Sequence, residues 1–183
     1  MNCRHCQSSL KHTFVDLGFA PPSNAYLTPE QLNAPEKYFP LRVMVCEQCW
    51  LVQTQDYSRA DELFDANYAY LSSTSISWLE HARQYCEAIA ERLSLNSESL
   101  AVELAANDGY LLTNFLAMNI PALGIEPTGS TAEIAESKGL EIIRKFFGAD
   151  LARDLKKQGR QADLIIGNNV YAHVPDINDL PGA

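Results

Sequence analysis

Four cysteines stand in two equally spaced pairs, "CRHC" from Cys3 to Cys6 and "CEQC" from Cys46 to Cys49. Thiolates three positions apart can grip one metal ion from a tight turn, and two such turns complete the four-thiolate shell that structural zinc prefers. Two disulfides or a redox C-x-x-C are the competing readings. A reducing compartment disfavours stable bridges, and a redox motif does not explain two copies of the pattern. A catalytic zinc fits less well, because four thiolates leave no open position for water. His5 and His12 lie near the first pair and could replace a ligand, although a solvated histidine is the simpler reading of each. The stretch from Gln7 to Val45 is long for a zinc ribbon, so the paired knuckles carry the assignment more than the total spacing does.

The second stretch that could do chemistry is "VELAANDGYLL", Val102 to Leu112, an apolar strand turning over a loop into a helix. Phosphate-cradling dinucleotide loops use three glycines there, and this loop has only Gly109. Glu126, at the end of "ALGIE", lies 23 positions beyond Glu103, near the offset of about 20 at which an acidic residue meets the two hydroxyls of a ribose. A nicotinamide cofactor would satisfy Glu126 but brings a pyrophosphate that wants the missing glycines. S-adenosylmethionine has the ribose and adenine without phosphates. Its methionine end needs a turn offering backbone groups and a polar side chain, which Asn107, Asp108 and Gly109 can supply. The glycine count favours the methyl donor.

The elements that must position these residues read as two regions. "LGFAPPSNAYLTPEQLNAPEKYFP" carries Pro21, Pro22, Pro29, Pro35 and Pro40, which argues for extended and turning backbone. "PLRVMVC" alternates like a short strand, and "WLVQTQ" is its expected hairpin partner, with Cys46 and Cys49 in the turn. So small a module buries little apolar area, and the metal should supply much of its folding free energy. Residues 56–76 read as a connector. A helix follows, with Ser77 and Glu80 as a capping box and Trp78, Leu79, Ala82, Tyr85, Cys86, Ile89 and Leu93 on one face. Packing is the simplest role for Cys86. From Leu100 the pattern alternates strand and helix: strands at Leu100–Leu104, "ALGIE", "LEII" and "DLIIG", with helices at "GYLLTNFLAM", after Ser130 and Glu133 as far as Gly139, and at "ADLARDLKKQ". This is the signature of a parallel sheet with crossover helices, whose ligands bind beyond the strands' carboxyl ends.

The chain has 183 residues, 46% of them apolar, and a formal charge of −9 from 14 Lys plus Arg against 23 Asp plus Glu. Without net or local basic charge, nucleic acid is not an expected partner. No run approaches the roughly 20 apolar residues of a membrane span, and "MNCRHCQSSL" lacks a signal-peptide core. The expectation is a cytoplasmic protein with no membrane partner.

"CRHC" with "CEQC", "YAYLSSTS", "ELAANDGYLL", "LGIEP", "KFFGA" and "NNVYAHVPD", in this order, resemble the S-adenosylmethionine-dependent C-methyltransferases that carry an N-terminal zinc domain and act on nucleotide-linked deoxysugars. The resemblance runs over essentially the whole chain. It implies an α/β fold: a four-cysteine zinc module over residues 1–55, the connector, and over 77–183 the first half of a class I, Rossmann-like methyltransferase sheet. Glu103, Asn107, Asp108, Gly109, Glu126, Pro127 and Asn168 would then line S-adenosylmethionine, with Phe146 or Phe147 against the adenine. Tyr68, Tyr70, Asn169 and His173 would face the sugar, His173 moving a proton or stabilising an enolate. The plainer alternatives are core packing for the phenylalanines and one tyrosine, and a loop-fixing role for His173.

The implied reaction moves a methyl group to the carbon beside the carbonyl of a 4-keto sugar nucleotide, usually a thymidine diphosphate sugar. Two other functions stand beside it: a methyltransferase for another small acceptor, and a non-catalytic zinc-stabilised module that binds S-adenosylmethionine or a partner. The family continues beyond "DLPGA" through more sheet and a C-terminal domain holding an adjacent Glu-His pair. The expectation is therefore that this chain binds the cofactor weakly and does not methylate alone. The family's strand order, 3-2-1-4-5-7-6, would also leave the fourth strand as an exposed edge open to self-association.

Overall fold

The structure, a computed structural model, describes residues 1–55, 57, 64, 68–174 and 176–180. About half of the expected connector, Pro175 of the "AHVPD" segment and residues 181–183 lie outside them. Two sheets organise the rest. In the first, β1 (His12–Ala20), β2 (Phe39–Val45) and β3 (Val52–Thr54) pair antiparallel in the order β1-β2-β3. The expected hairpin forms between β2 and β3, with Val45 opposite Val52 and Met44 opposite Gln53, and the second cysteine knuckle makes its turn. β1 was not expected from the sequence. Register shifts between Thr13 and Val15 and between Asp16 and Phe19 bulge it, which locally disrupts its pairing with β2. In residues 1–55 only Cys3, Met44, Cys46 and Gln53 are buried, so this sheet has almost no core besides its cysteines.

The second sheet is parallel. It consists of β4 (Ala101–Leu104), β5 (Ala122–Ile125), β6 (Glu141–Ile143) and β7 (Leu164–Ile166), in the spatial order β6-β5-β4-β7. Numbered within this sheet, that is the expected 3-2-1-4, with the fourth strand at an edge. Successive residues of a strand point to opposite faces, and β4 shows the result. Ala101 joins a cluster with Ala82, Cys86 and Ala90 of α1 (Ile76–Leu93) and Leu112 and Phe115 of α2 (Leu112–Ala117). Val102 and Leu104 join Leu123, Ile125 and Leu155, the last from α4 (Ala149–Lys157). The sheet is thus covered on both faces, as parallel sheets are. Cys86 is fully buried, its thiol donating to the Leu111 carbonyl at 3.6 Å. Burial pushes that thiol up to about 12, so it packs rather than reacts.

Three local expectations are corrected. The cap of α1 is Ser75 rather than Ser77, because it is the Ser75 Oγ that accepts from the Trp78 N–H at 3.3 Å. The helix after β5, α3 (Gly129–Ser137), has no side-chain cap. Ser130 lies inside it and donates its hydroxyl to the Tyr68 carbonyl at 3.0 Å. Gly139, at φ +86, does terminate it in the left-handed conformation that favours glycine. Third, the helix expected from Gly109 starts only at Leu112, since Ala105, Asn107 and Gly109 are all left-handed, at φ 52, 51 and 74. Among the described residues no helix is long and apolar enough to cross a membrane.

Candidate functional site

The four cysteine sulfurs converge, all lying within 4.8 Å of one another. Cys3 and Cys49 are 3.5 Å apart, as are Cys6 and Cys46. Four sulfurs about 2.3 Å from a tetrahedral zinc would be separated by about 3.8 Å, so the cluster is sized for that ion. The two knuckles share one backbone design. Gln7 N–H donates to Cys3 O and Trp50 N–H to Cys46 O, each at 3.0 Å, and Gln7 and Trp50 are both left-handed, at φ 61 and 64. Gln48 N–H reaches Cys46 Sγ at 3.4 Å and Gln53 Nε2 reaches Cys3 Sγ at 3.3 Å. Burial alone would raise the Cys3 thiol, but donors from Cys6, Gln53 and His5 outweigh it and bring it down to about 6. Cys49 receives the Leu51 N–H, yet burial and the three neighbouring sulfurs push it up to about 12. Four thiols this close cannot all ionise without a cation, and the donor set suits zinc. His5 pairs with Asn178 and His12 with Glu47, so neither joins the cluster.

The second centre lies beyond the carboxyl ends of the parallel strands, where a cavity of about 750 Å³ opens. Parallel register sets its floor: Leu104 pairs with Ile125, which brings Glu103 and Glu126 to the same end of adjacent strands. All four residues of β4 are buried, and a glutamate among them is a cost unless something uses it. Glu103 is 1% exposed, and its Oε2 has no hydrogen-bond partner. Burial, with the Glu126 and Asp108 carboxylates nearby, holds its carboxyl well above the usual range. A cationic group entering the cavity would supply the missing partner and the missing charge.

Glu126 is differently placed. Its Oε2 accepts from the Asn107 N–H at 2.8 Å, and its Oε1 accepts from the Thr128 N–H at 2.9 Å and from the Thr128 hydroxyl. Ionised, a carboxylate has about four acceptor sites, so one remains for a ligand hydroxyl on an oriented, charged group. The same contacts engage three of the loop's backbone donors. Asn107 N–H is spent on Glu126, Ala106 N–H on Ile125 O at 3.2 Å and Gly109 N–H on Ala106 O at 2.9 Å. These three N–H groups are therefore not available to a pyrophosphate.

Of the residues selected from sequence, the cavity wall brings together Tyr68, Tyr70, Glu103, Asn107, Glu126, Pro127, Phe146, Phe147, Asn168, Asn169 and His173. It does not include Asp108 or Gly109. Asp108 is fully buried, with Lys138 Nζ 2.6 Å from its carbonyl and 3.4 Å from its Oδ2. Gly109 faces Leu140 and Ala135. Phe147 packs into the Val102–Leu155 cluster, whereas Phe146 is 50% exposed, so Phe146 has the freer ring face. His173 sits on a short 3-10 helix, Tyr171–His173, at the rim.

Sequence reasoning missed Ser23, Asn24, Ser72, Trp78, Tyr110, Thr128 and Lys145, which also line the wall. Trp78 packs against the core on the expected face of α1 and lines the cavity as well. Its ring lies 6.1 Å from Tyr110. Asn24, from the first sheet's long loop, lines the same wall as Tyr68. Only Thr128, two residues after Glu126, carried a local signal, since short hydroxyl side chains bond to nearby groups in turns.

Comparison with known proteins fits these two centres. Residues 3–64 match the family described as "Putative zinc binding domain". Over 178 residues the chain is 30% identical to the C-methyltransferase NovU of Streptomyces niveus, an alignment that covers 97% of this chain and 42% of that protein. The chain thus spans less than half the length of this curated relative.

Proposed function

We propose that this chain, whose residues 3–64 match a putative zinc binding domain and which is 30% identical to a C-methyltransferase, forms the zinc module and cofactor-binding half of an S-adenosylmethionine-dependent C-methyltransferase acting on a nucleotide-linked keto-deoxysugar. In this reading residues 1–55 are the zinc module, 56–76 the connector and 77–183 the cofactor domain. The observation that carries the cofactor assignment is the Glu126 carboxylate. It takes the loop's Asn107 N–H at 2.8 Å, which removes a phosphate donor and aims a charged acceptor at a ribose. Glu103, buried and without a partner for Oε2, is the counterpart for the ammonium or sulfonium charge. Phe146 offers a face to the adenine.

Bound S-adenosylmethionine supplies an electrophilic methyl group on a sulfonium. The protein's share is to make the acceptor carbon nucleophilic. A carbon beside a carbonyl becomes so when a base removes its proton and donors hold the enolate. His173 and Asn169 at the rim, with the hydroxyls of Tyr68 and Tyr70, are the side chains placed for that work. The complete protein, rather than this chain alone, is the expected catalyst.

The test uses the full-length protein with a thymidine diphosphate 4-keto-deoxysugar in deuterated water, with S-adenosylhomocysteine filling the cofactor site. Exchange of the hydrogen beside the carbonyl, followed by methyl transfer to that same carbon when S-adenosylmethionine is added, is the expected result. Transfer to an oxygen, or transfer without prior exchange, would remove the enolate mechanism.

A further inference from the structure

The residues from Tyr68 to Ser72, "YAYLS", contribute three of the cavity's side chains, yet no described strand or helix includes Tyr68, Ala69, Tyr70 or Leu71. What fixes this strap is a set of polar side chains from elsewhere. Asn107 uses both ends of its amide: Nδ2 donates to the Tyr70 carbonyl at 3.0 Å, and Oδ1 accepts from the Ser72 N–H at 2.8 Å. Ser130 Oγ donates to the Tyr68 carbonyl at 3.0 Å. The backbone N–H of Asn107 is meanwhile held by Glu126 Oε2 at 2.8 Å.

We propose that Asn107 is a positioning residue for the methyl acceptor: its side chain clasps the Tyr68–Ser72 strap while its backbone is set by Glu126, so filling the cofactor site firms the wall that faces the acceptor. This rests on the reading of Glu126 as the ribose carboxylate. Asn107 is not itself a contact for the acceptor; it acts through Tyr68 and Tyr70. The order of binding follows. A strap braced by the bound cofactor presents its tyrosines to the acceptor in one geometry, which favours cofactor first and acceptor second.

A simpler account of Asn107 is its backbone, since at φ 51 asparagine, aspartate and glycine are the tolerated residues. Substitution separates the two accounts. Asn107→Gly keeps the backbone and deletes the clasp. Asn107→Asp keeps shape and backbone but sets an oxygen against the Tyr70 carbonyl. If φ alone mattered, both would be silent.

The experiment is amide hydrogen exchange of the Ser72 N–H in the chain and in both variants, with and without S-adenosylhomocysteine. In the wild type the ligand should slow exchange at Ser72. In Asn107→Gly, which loses both hydrogen bonds, ligand-free exchange there should be about 10- to 100-fold faster, and in Asn107→Asp, which loses the donor to Tyr70 but keeps an acceptor for the Ser72 N–H, the rise should be smaller. The ligand-dependent slowing should vanish in Asn107→Gly. Equal exchange at Ser72 in wild type and Asn107→Gly would overturn the clasp. Preserved ligand-dependent slowing in Asn107→Gly would overturn the coupling. Failure of the wild type to bind S-adenosylhomocysteine would instead remove the cofactor reading, and the ligand-free comparison would still decide the clasp.

Discussion

Replacing Gly109 with alanine separates a packing role for the loop's single glycine from a ligand-contact role. A methyl group built there would stand 2.2 Å from Leu140 Cδ1, 3.1 Å from Ala135 Cβ and 3.4 Å from Ala135 Cα, with the backbone at φ +74. A left-handed conformation costs a residue with a Cβ about 1–2 kcal/mol. The end of the Leu140 side chain can swing, but Leu140 and Ala135 are both buried, and overpacking such a site costs about 1–3 kcal/mol. The expected loss for Gly109→Ala is therefore about 2–5 kcal/mol, a large part of a domain's stability. Urea unfolding followed by Trp78 fluorescence measures it, with the slope in urea unchanged if only stability moved. The methyl points at α3 and Leu140 rather than into the cavity, so the folded fraction should bind S-adenosylhomocysteine within about threefold of wild type. A loss below about 0.5 kcal/mol, or a tenfold affinity loss at unchanged stability, would refute this reasoning.

Other outcomes follow from the same structure. Chelating the metal, or Cys46→Ser, should unfold the first sheet and leave the parallel sheet folded, because residues 1–55 bury so little else; zinc content should fall from about one equivalent, and exchange protection of β2 should collapse with it. Ser75→Ala should cost about 1 kcal/mol of helix stability and Ser77→Ala almost nothing, by thermal unfolding. Glu103 is held above its ordinary 4.5 in the folded state, so the native protein keeps a proton that the unfolded chain releases. Ligand-free stability should be full below about pH 4.5 and fall as pH rises toward the folded value. Glu103→Gln should flatten that slope, and a melting profile over pH that stays sloped would contradict the assignment.

The sequence was most legible where one period or one spacing decides an element. The short runs rich in apolar residues at 101–104, 122–125 and 164–166 mark parallel strands, and their register aligns the ends so that Glu126 arrives beside Glu103. The two C-x-x-C pairs marked the metal centre. β1 was hidden because Phe14, Leu17 and Phe19 remain exposed and bulges at Thr13/Val15 and Asp16/Phe19 interrupt its pairing. The α1 cap was misplaced because Ser75 and Ser77 both precede the helical pattern, and only geometry tells which hydroxyl reaches the Trp78 N–H. Ser130 and Asn107 were assigned to a cap and to a cofactor, while their side chains hold a strap far away in sequence. No local pattern announces contacts of that range. The inward turn of Asp108 and Gly109 was likewise set by Lys138, Leu140 and Ala135, which the loop's own sequence does not contain.

The central claim is that the cavity is built for an adenosine cofactor without phosphates. Calorimetric titration of the chain with S-adenosylhomocysteine and, separately, with NAD tests it, beside Glu126→Gln as a control. The account predicts binding of S-adenosylhomocysteine, weakened at least tenfold by Glu126→Gln as a charge-assisted hydrogen bond is lost, and no measurable heat with NAD. NAD binding as tightly as S-adenosylhomocysteine, or heat from neither, would contradict it.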